Sequence, residues 1–196
     1  MWAPDYAEVG ELKSYLRIED DVDDAQVASA LTAASRSVDQ HCRRQFGATE
    51  APELRHYVAL RRRAHGSSPL LVVPIDDLMS VDDLIVDVDG VEVVPASYWP
   101  LNATQNGKPW TRLTLPAGVS CDGGPVAITA TWGWAEVPDT IKAAALLQAA
   151  RVFKRQDAPF GVAGSPELGS ELRLLAKVDP DVAVMLAGYT RRGGVG

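Results

Sequence analysis

Cysteine, histidine and methionine are scarce in this chain of 196 residues, which holds two, three and three of them. Cys42 and Cys121 lie far apart in dissimilar contexts, so they read as two unpaired thiols of a reducing cytoplasm rather than a disulfide framework. His41, His56 and His65 have no metal-ligand spacing among themselves or with either cysteine. His41 and Cys42 are adjacent and diverge on a helix, so no metal site is expected. No apolar run approaches the roughly eighteen residues that a membrane span needs. Met1 to Tyr6 carry no basic region and no apolar core, so no secretory leader is expected. There is no glycine-rich phosphate loop with Lys-Ser or Lys-Thr, and no serine in a nucleophile elbow. No catalytic residue and no cofactor is therefore assigned, and the chain reads as a non-enzyme. Excess positive charge is missing too. A net charge of −7 and a pI of about 4.9 argue against gripping nucleic acid through a broad basic surface. They do not bar DNA from sliding past an acidic wall.

What is present is an ordinary globular composition, 46% hydrophobic and 23% charged, in a chain long enough to bury its own core. Val9, Leu12, Tyr15 and Leu16 recur at helical spacing and predict a short helix over residues 7–16. A second helix is predicted over 24–46, with Val27, Leu31, Ala34, Val38 and Cys42 along one face and Gly47 as its left-handed cap. Residues 51–132 read as a β insertion. Leu54, His56, Val58 and Leu60 alternate, Leu70 to Val73 form a short strand closed by Pro74, and Asp89-Gly90 is a strong hairpin signal between 81–88 and 91–94. Residues 110–115 and 126–132 supply two more strands. A third helix, 138–156, starts with Pro138 at its first position and is apolar around most of its circumference. The fold class is α+β: a mainly helical bundle of three to five helices with a small inserted antiparallel β-sheet and a C-terminal helical tail. Leu12, Leu16, Val27, Leu31, Val38, Ile128, Trp132, Ile141, Leu146, Leu147 and Phe153 are the expected core.

Residues 126–158 carry a resemblance. A strand ends in Trp132-Gly133-Trp134, Val137-Pro138 follows, and an alanine- and leucine-rich helix ends in a basic, polar, acidic run. Together with Glu11-Leu12-Lys13-Ser14-Tyr15-Leu16-Arg17-Ile18, the acidic run Glu19–Asp24 and a long helix, this order resembles the head–tail connector (adaptor) proteins of long-tailed double-stranded DNA phages. The resemblance covers residues 8–47 and 70–158. It implies a connector core over 1–158 and a virion-neck structural protein assembled in the host cytoplasm. Copies would form a dodecameric ring beneath the portal protein, DNA would pass through without sequence-specific binding, and a tail-side neck protein would attach. No membrane is involved.

Residues 159–196 extend beyond that pattern. Pro159 to Gly164 read as a hinge, Ser165-Pro166-Glu167 restart a helix, and Asp179-Pro180-Asp181 start another. Their stripes, Leu168, Leu172 and Leu175, then Val182, Met185, Leu186 and Tyr189, with Arg191 and Arg192 after them, are assigned to partner docking. Folding back onto the body is the alternative. The acidic run Glu19–Asp24 lacks the glycine of a calcium loop, so it reads as a helix start whose carboxylates cap free N–H groups. Asp76-Asp77 and Asp82-Asp83 read as solvated turns. Arg61 to Arg63 are the best candidates for touching phosphate or an acidic partner. Two other functions remain open: a small enzyme with a dispersed site such as Asp76, His56 and Arg62, and a DNA-binding accessory module using the arginines of the second helix.

Overall fold

A computed structural model describes residues 3–62, 70–121, 124–155, 162–163, 172–173 and 179–191. The chain divides into two compact units. Residues 4–46 and 137–196 make one, and residues 47–136, with 1–3, make the other.

The first unit is helical. Helix α1 (Val9–Leu16) ends in a left-handed Arg17, with the Ile18 N–H on the Lys13 carbonyl at 3.0 Å. The Lys13 ammonium then reaches Asp21 and Asp24 at 2.5 and 2.7 Å, tying the acidic run back to α1. Asp23, at the N-cap of α2 (Asp24–Cys42), makes no side-chain cap bond, so these carboxylates serve Lys13 rather than the free N–H groups. Helix α2 buries Val27, Leu31, Ala34, Val38 and Cys42, the stripe that the sequence predicts. It stops at Cys42 with Arg43 left-handed, not at Gly47, because the Asp39 carbonyl accepts from both the Arg43 and Arg44 N–H groups. Helix α3 (Asp139–Lys154) has Pro138 as its N-cap in extended conformation rather than as its first helical residue. Leu12, Val27, Leu31, Ala34, Ala149 and Ala150 form one apolar cluster, with Leu16, Leu146 and Phe153 packed against it half-buried. The small alanines let α3 sit close to α2. Helix α4 (Pro180–Leu186) starts as predicted, with the Asp179 side chain accepting from the Asp181 N–H at 2.8 Å.

The second unit is a pair of four-stranded antiparallel sheets. The strands are β1 (Glu53–Tyr57), β2 (Leu60–Arg62), β3 (Leu70–Leu78), β4 (Ile85–Val88), β5 (Val91–Glu92), β6 (Ser97–Trp99), β7 (Trp110–Thr114) and β8 (Val126–Ala130). One sheet runs β1-β8-β4-β5, the other β2-β3-β7-β6. They close over a single core: Val86, Val88, Val126, Ile128 and Ala130 from the first meet Val73, Ile75, Leu113 and Leu115 from the second. Asp89 and Gly90 take positive φ (54° and 82°) and turn β4 into β5, the hairpin that Asp-Gly predicts.

A mainly helical bundle with one small sheet is therefore incorrect: the β part is a two-layer unit with its own core. Three of its edge strands are two or three residues long, too short for a period to show. Strand β3 also runs through Pro74 instead of closing there. The Leu115 N–H bonds the Leu71 carbonyl, so Pro74 turns its nitrogen away from β7, on the side where β2 has already ended at Leu60↔Val72. A missing N–H costs no ladder bond there. Of the expected core, Leu12, Val27, Leu31, Val38, Ile128, Trp132 and Ile141 are buried, while Leu16, Leu146, Leu147 and Phe153 are half-buried. The helix predicted to restart at Ser165 is corrected at Leu172–Arg173, whose backbone pairs antiparallel with Val162–Ala163. Leu168, Leu175 and Arg192 lie outside the described residues.

Candidate functional site

Of the tail residues assigned to partner docking, Val182, Met185, Leu186, Tyr189 and Arg191 are occupied inside the helical unit. Val182 and Leu186 are fully buried, where α4 packs on α2 and α3, and Met185 is half-buried. Tyr189 stands edge-on to Phe46 at 5.9 Å, and the Arg191 N–H donates to the Cys42 carbonyl at 2.8 Å. Arg151 pairs with Asp179, fixing the start of α4 to α3. An apolar stripe on a short helix reads the same whether it meets its own chain or another. Here the chain itself has room for it.

The same unit holds a part-buried polar knot around Tyr6 that sequence reasoning missed. The Tyr6 hydroxyl donates to Asp39 and accepts from the Phe46 N–H at 3.0 Å, and Arg36 reaches Asp39 at 3.2 Å. Burial raises the Tyr6 phenol well above its usual range, and the bond to Asp39 adds to this. Burial likewise raises the Asp39 carboxyl, although Tyr6 and Arg36 oppose the shift. Burial pushes the Cys42 thiol up to about 12. These groups lock the end of α2 to the N-terminal segment.

In the β unit the sequence pattern of β1 is inverted. Leu54, His56, Val58 and Leu60 alternate as a buried face would, yet all four are exposed. The inward row is Arg55 and Tyr57, paired through β8 with Ile128 and Val126. Arg55 lies over the Trp132 ring at 5.2 Å and donates to Asp76 at 2.8 Å and Glu53 at 2.9 Å. The Tyr57 hydroxyl donates to the same Asp76 oxygen at 2.9 Å. Burial, then the Asp76 charge, raises the Tyr57 phenol and keeps it a proton donor. The guanidinium stem and the phenol ring supply apolar surface that neither residue type announces in sequence.

Asp77 corrects the solvated-turn reading most sharply. It occupies the inward register of β3 after Val73 and Ile75 and is buried, with the Trp134 indole N–H donating to it at 2.8 Å. Its carbonyl accepts from the Gly133 N–H at 2.7 Å. Ala48 and Gly133 form an isolated antiparallel bridge, so the two segments that lead into and out of the β unit are stitched to each other. Asp82 and Asp83 are exposed; Asp82 accepts from Ser80 at 2.6 Å and Asp83 from Thr131 at 3.2 Å.

Asp76, His56 and Arg62 are not brought together. His56 faces away from the side of β1 that contacts Asp76, and Arg62 is exposed on β2. Among the described residues no group of three or more His, Cys, Asp or Glu side chains is arranged to hold a metal ion, and no helix is long and apolar enough to cross a membrane.

Exposed apolar side chains gather at the two sides of the β unit, while Tyr15, Val22 and Val184 stand singly on the helical unit. Val58 is 70% exposed beside Leu54 and Leu60, and Val91 and Val94 are 62% and 79% exposed, with Trp99 and Leu101 also open. No family model and no curated protein matches the chain.

Proposed function

We propose that the chain is a structural adaptor of a phage neck, a subunit of a ring that sits beneath the portal, lets DNA pass and offers attachment to a tail-side protein. The observation that carries this reading is the placement of exposed apolar side chains. The helical unit buries Val182 and Leu186 of α4 and leaves Tyr15, Val22 and Val184 exposed singly. The β unit instead gathers its exposed apolar side chains at two places, Leu54, Val58 and Leu60 on one side and Val91, Val94 and Trp99 on the other. Apolar surface left in water at two separate places suits a subunit with neighbours on both sides. The order of elements agrees with the connector resemblance: helices α1 and α2, a β insertion, then an alanine-rich helix. The net charge of −7 suits a lining that does not hold DNA. Portal docking by Val182 and Leu186 is not retained in this reading, because those side chains are spent within the chain.

The test is assembly. Purified chain is mixed with the portal protein of the virus that encodes it, and the product is weighed by native mass spectrometry and imaged by electron microscopy. A closed ring of chains on the portal is expected. A chain that leaves the portal bare at high molar excess rules out the adaptor role.

A further inference from the structure

Among the described residues, strand order leaves two unpaired edges on opposite sides of the β unit. Strands β1 and β2, joined only by Val58 and Ala59, are the outer strands of their two sheets on one side; β5 and β6, joined by residues 93–96, are the outer strands on the other. The first edge is basic at β2, while β1 carries Glu53 paired to Arg55. Arg61 and Arg62 on β2 are exposed and make no ion pair among the described residues. The second edge is acidic at β5, where Glu92 and Asp89 are exposed and Asp87 is half-buried beside them. Arg112, on β7, lies one strand inside this edge.

We propose that the β2 edge of one copy pairs with the β5 edge of the next, and that this head-to-tail contact closes the ring; the proposal rests on the adaptor reading above. An outer strand presents unpaired N–H and C=O groups that another strand can take up. Charge decides which strand. Pairing β2 with β2, or β5 with β5, would make a two-fold dimer, and each brings like charges together across the contact. Pairing β2 with β5 sets the Arg61–Arg62 strand against Glu92, with Asp89 in the adjoining turn adding negative charge at the same edge. That contact is heterologous, and because the two edges lie on opposite sides, each added copy leaves one edge of each kind free. Growth continues until rotation brings the last edge to the first. The exposed Val58 and Leu60 on one side, and Val91 and Val94 on the other, lose water in the same contact.

The test uses R61E, E92R and the R61E/E92R double variant of the full chain, each weighed by native mass spectrometry up to about 1 mM, where even millimolar contacts are half-filled. Wild type is expected to form open and closed oligomers. R61E and E92R should each associate at least about tenfold more weakly, since like charges then meet across the contact. R61E/E92R restores opposite signs and should recover to near wild type, which a misfolded variant cannot do. Loss in both singles without recovery in the double, or singles that assemble like wild type, overturns the pairing of edges. So does a wild type that stays monomeric across this range. Normal R61E rings on the portal would also overturn it, and would leave the adaptor reading standing.

Discussion

Gly133→Ala tests how the β unit is closed. Gly133 sits at φ +113°, and a Cβ there would lie 2.0 Å from the Gly47 carbonyl oxygen and 2.9 Å from the Ala48 Cα. Every atom in the way is backbone, so no side chain can swing aside. A non-glycine residue at this φ costs about 1–3 kcal/mol on its own. Relieving the clash means parting the two segments. The bonds from the Thr49 N–H to the Trp132 carbonyl (2.9 Å), from the Trp134 N–H to the Gly47 carbonyl (3.1 Å) and from the Gly133 N–H to the Asp77 carbonyl (2.7 Å) are then at risk. At about 1 kcal/mol net for each bond, the total loss is about 4–6 kcal/mol. Small domains hold only about 5–15 kcal/mol in all, so much of the unit's stability goes. Urea unfolding followed by tryptophan emission reads this unit, because none of the five tryptophans falls within residues 4–46 or 137–196. A large drop in midpoint with Trp132 and Trp134 becoming solvated is expected. A shift worth less than about 1 kcal/mol would show that the clasp is not what holds the segments together.

Three further outcomes follow from burial. Leu186→Ala, at a fully buried position of α4, should cost about 2–5 kcal/mol in helical melting, while Val184→Ala, 78% exposed two residues earlier on the opposite face of the helix, should stay within about 0.5 kcal/mol; equal effects would mean α4 is not seated as described. Titration with a thiol reagent at pH 8 should show Cys121 reacting first and Cys42, buried with its pKa pushed up to about 12, reacting only on unfolding; two equally fast thiols would contradict the burial of Cys42. Asp39 is raised by burial, so its contribution is fully present below the ordinary carboxylate pKa and is lost as pH rises through its higher folded value. Wild type should therefore lose ground against Asp39→Asn as pH rises above the ordinary carboxylate range, and a pH-independent difference in melting temperature would count against that sign.

The helical unit was the more legible part of the chain because its periods are long. Helix α2 spans 19 residues, enough for five buried positions to mark its face, and α4 announces itself through Asp179-Pro180. Strand β1 shows why the β unit was not. Its outward row, Leu54 and His56 with Val58 beyond, is more apolar by composition than its inward row, Arg55 and Tyr57. What decides the direction is Trp132, 77 residues away in sequence from Arg55, whose ring accepts the guanidinium. Asp77 is a second instance: a carboxylate in the inward register is intelligible only once the Trp134 indole is beside it. Both depend on partners that no local window contains. The charged edges were visible as Arg61-Arg62 and as Asp-rich turns, but their opposition required the strand order.

The interrupted layout of the helical unit has a consequence for synthesis. Helices α1 and α2 leave the ribosome with Leu12, Val27, Leu31 and Ala34 already aligned, yet the alanines of α3 that cover them are encoded after the whole β unit. At ~5–20 residues per second, about 100 intervening residues delay that cover by ~5–20 s. During this interval the nascent hairpin presents a bare oily flank, and a co-translational holdase should be found on ribosome-bound chains stalled before residue 139.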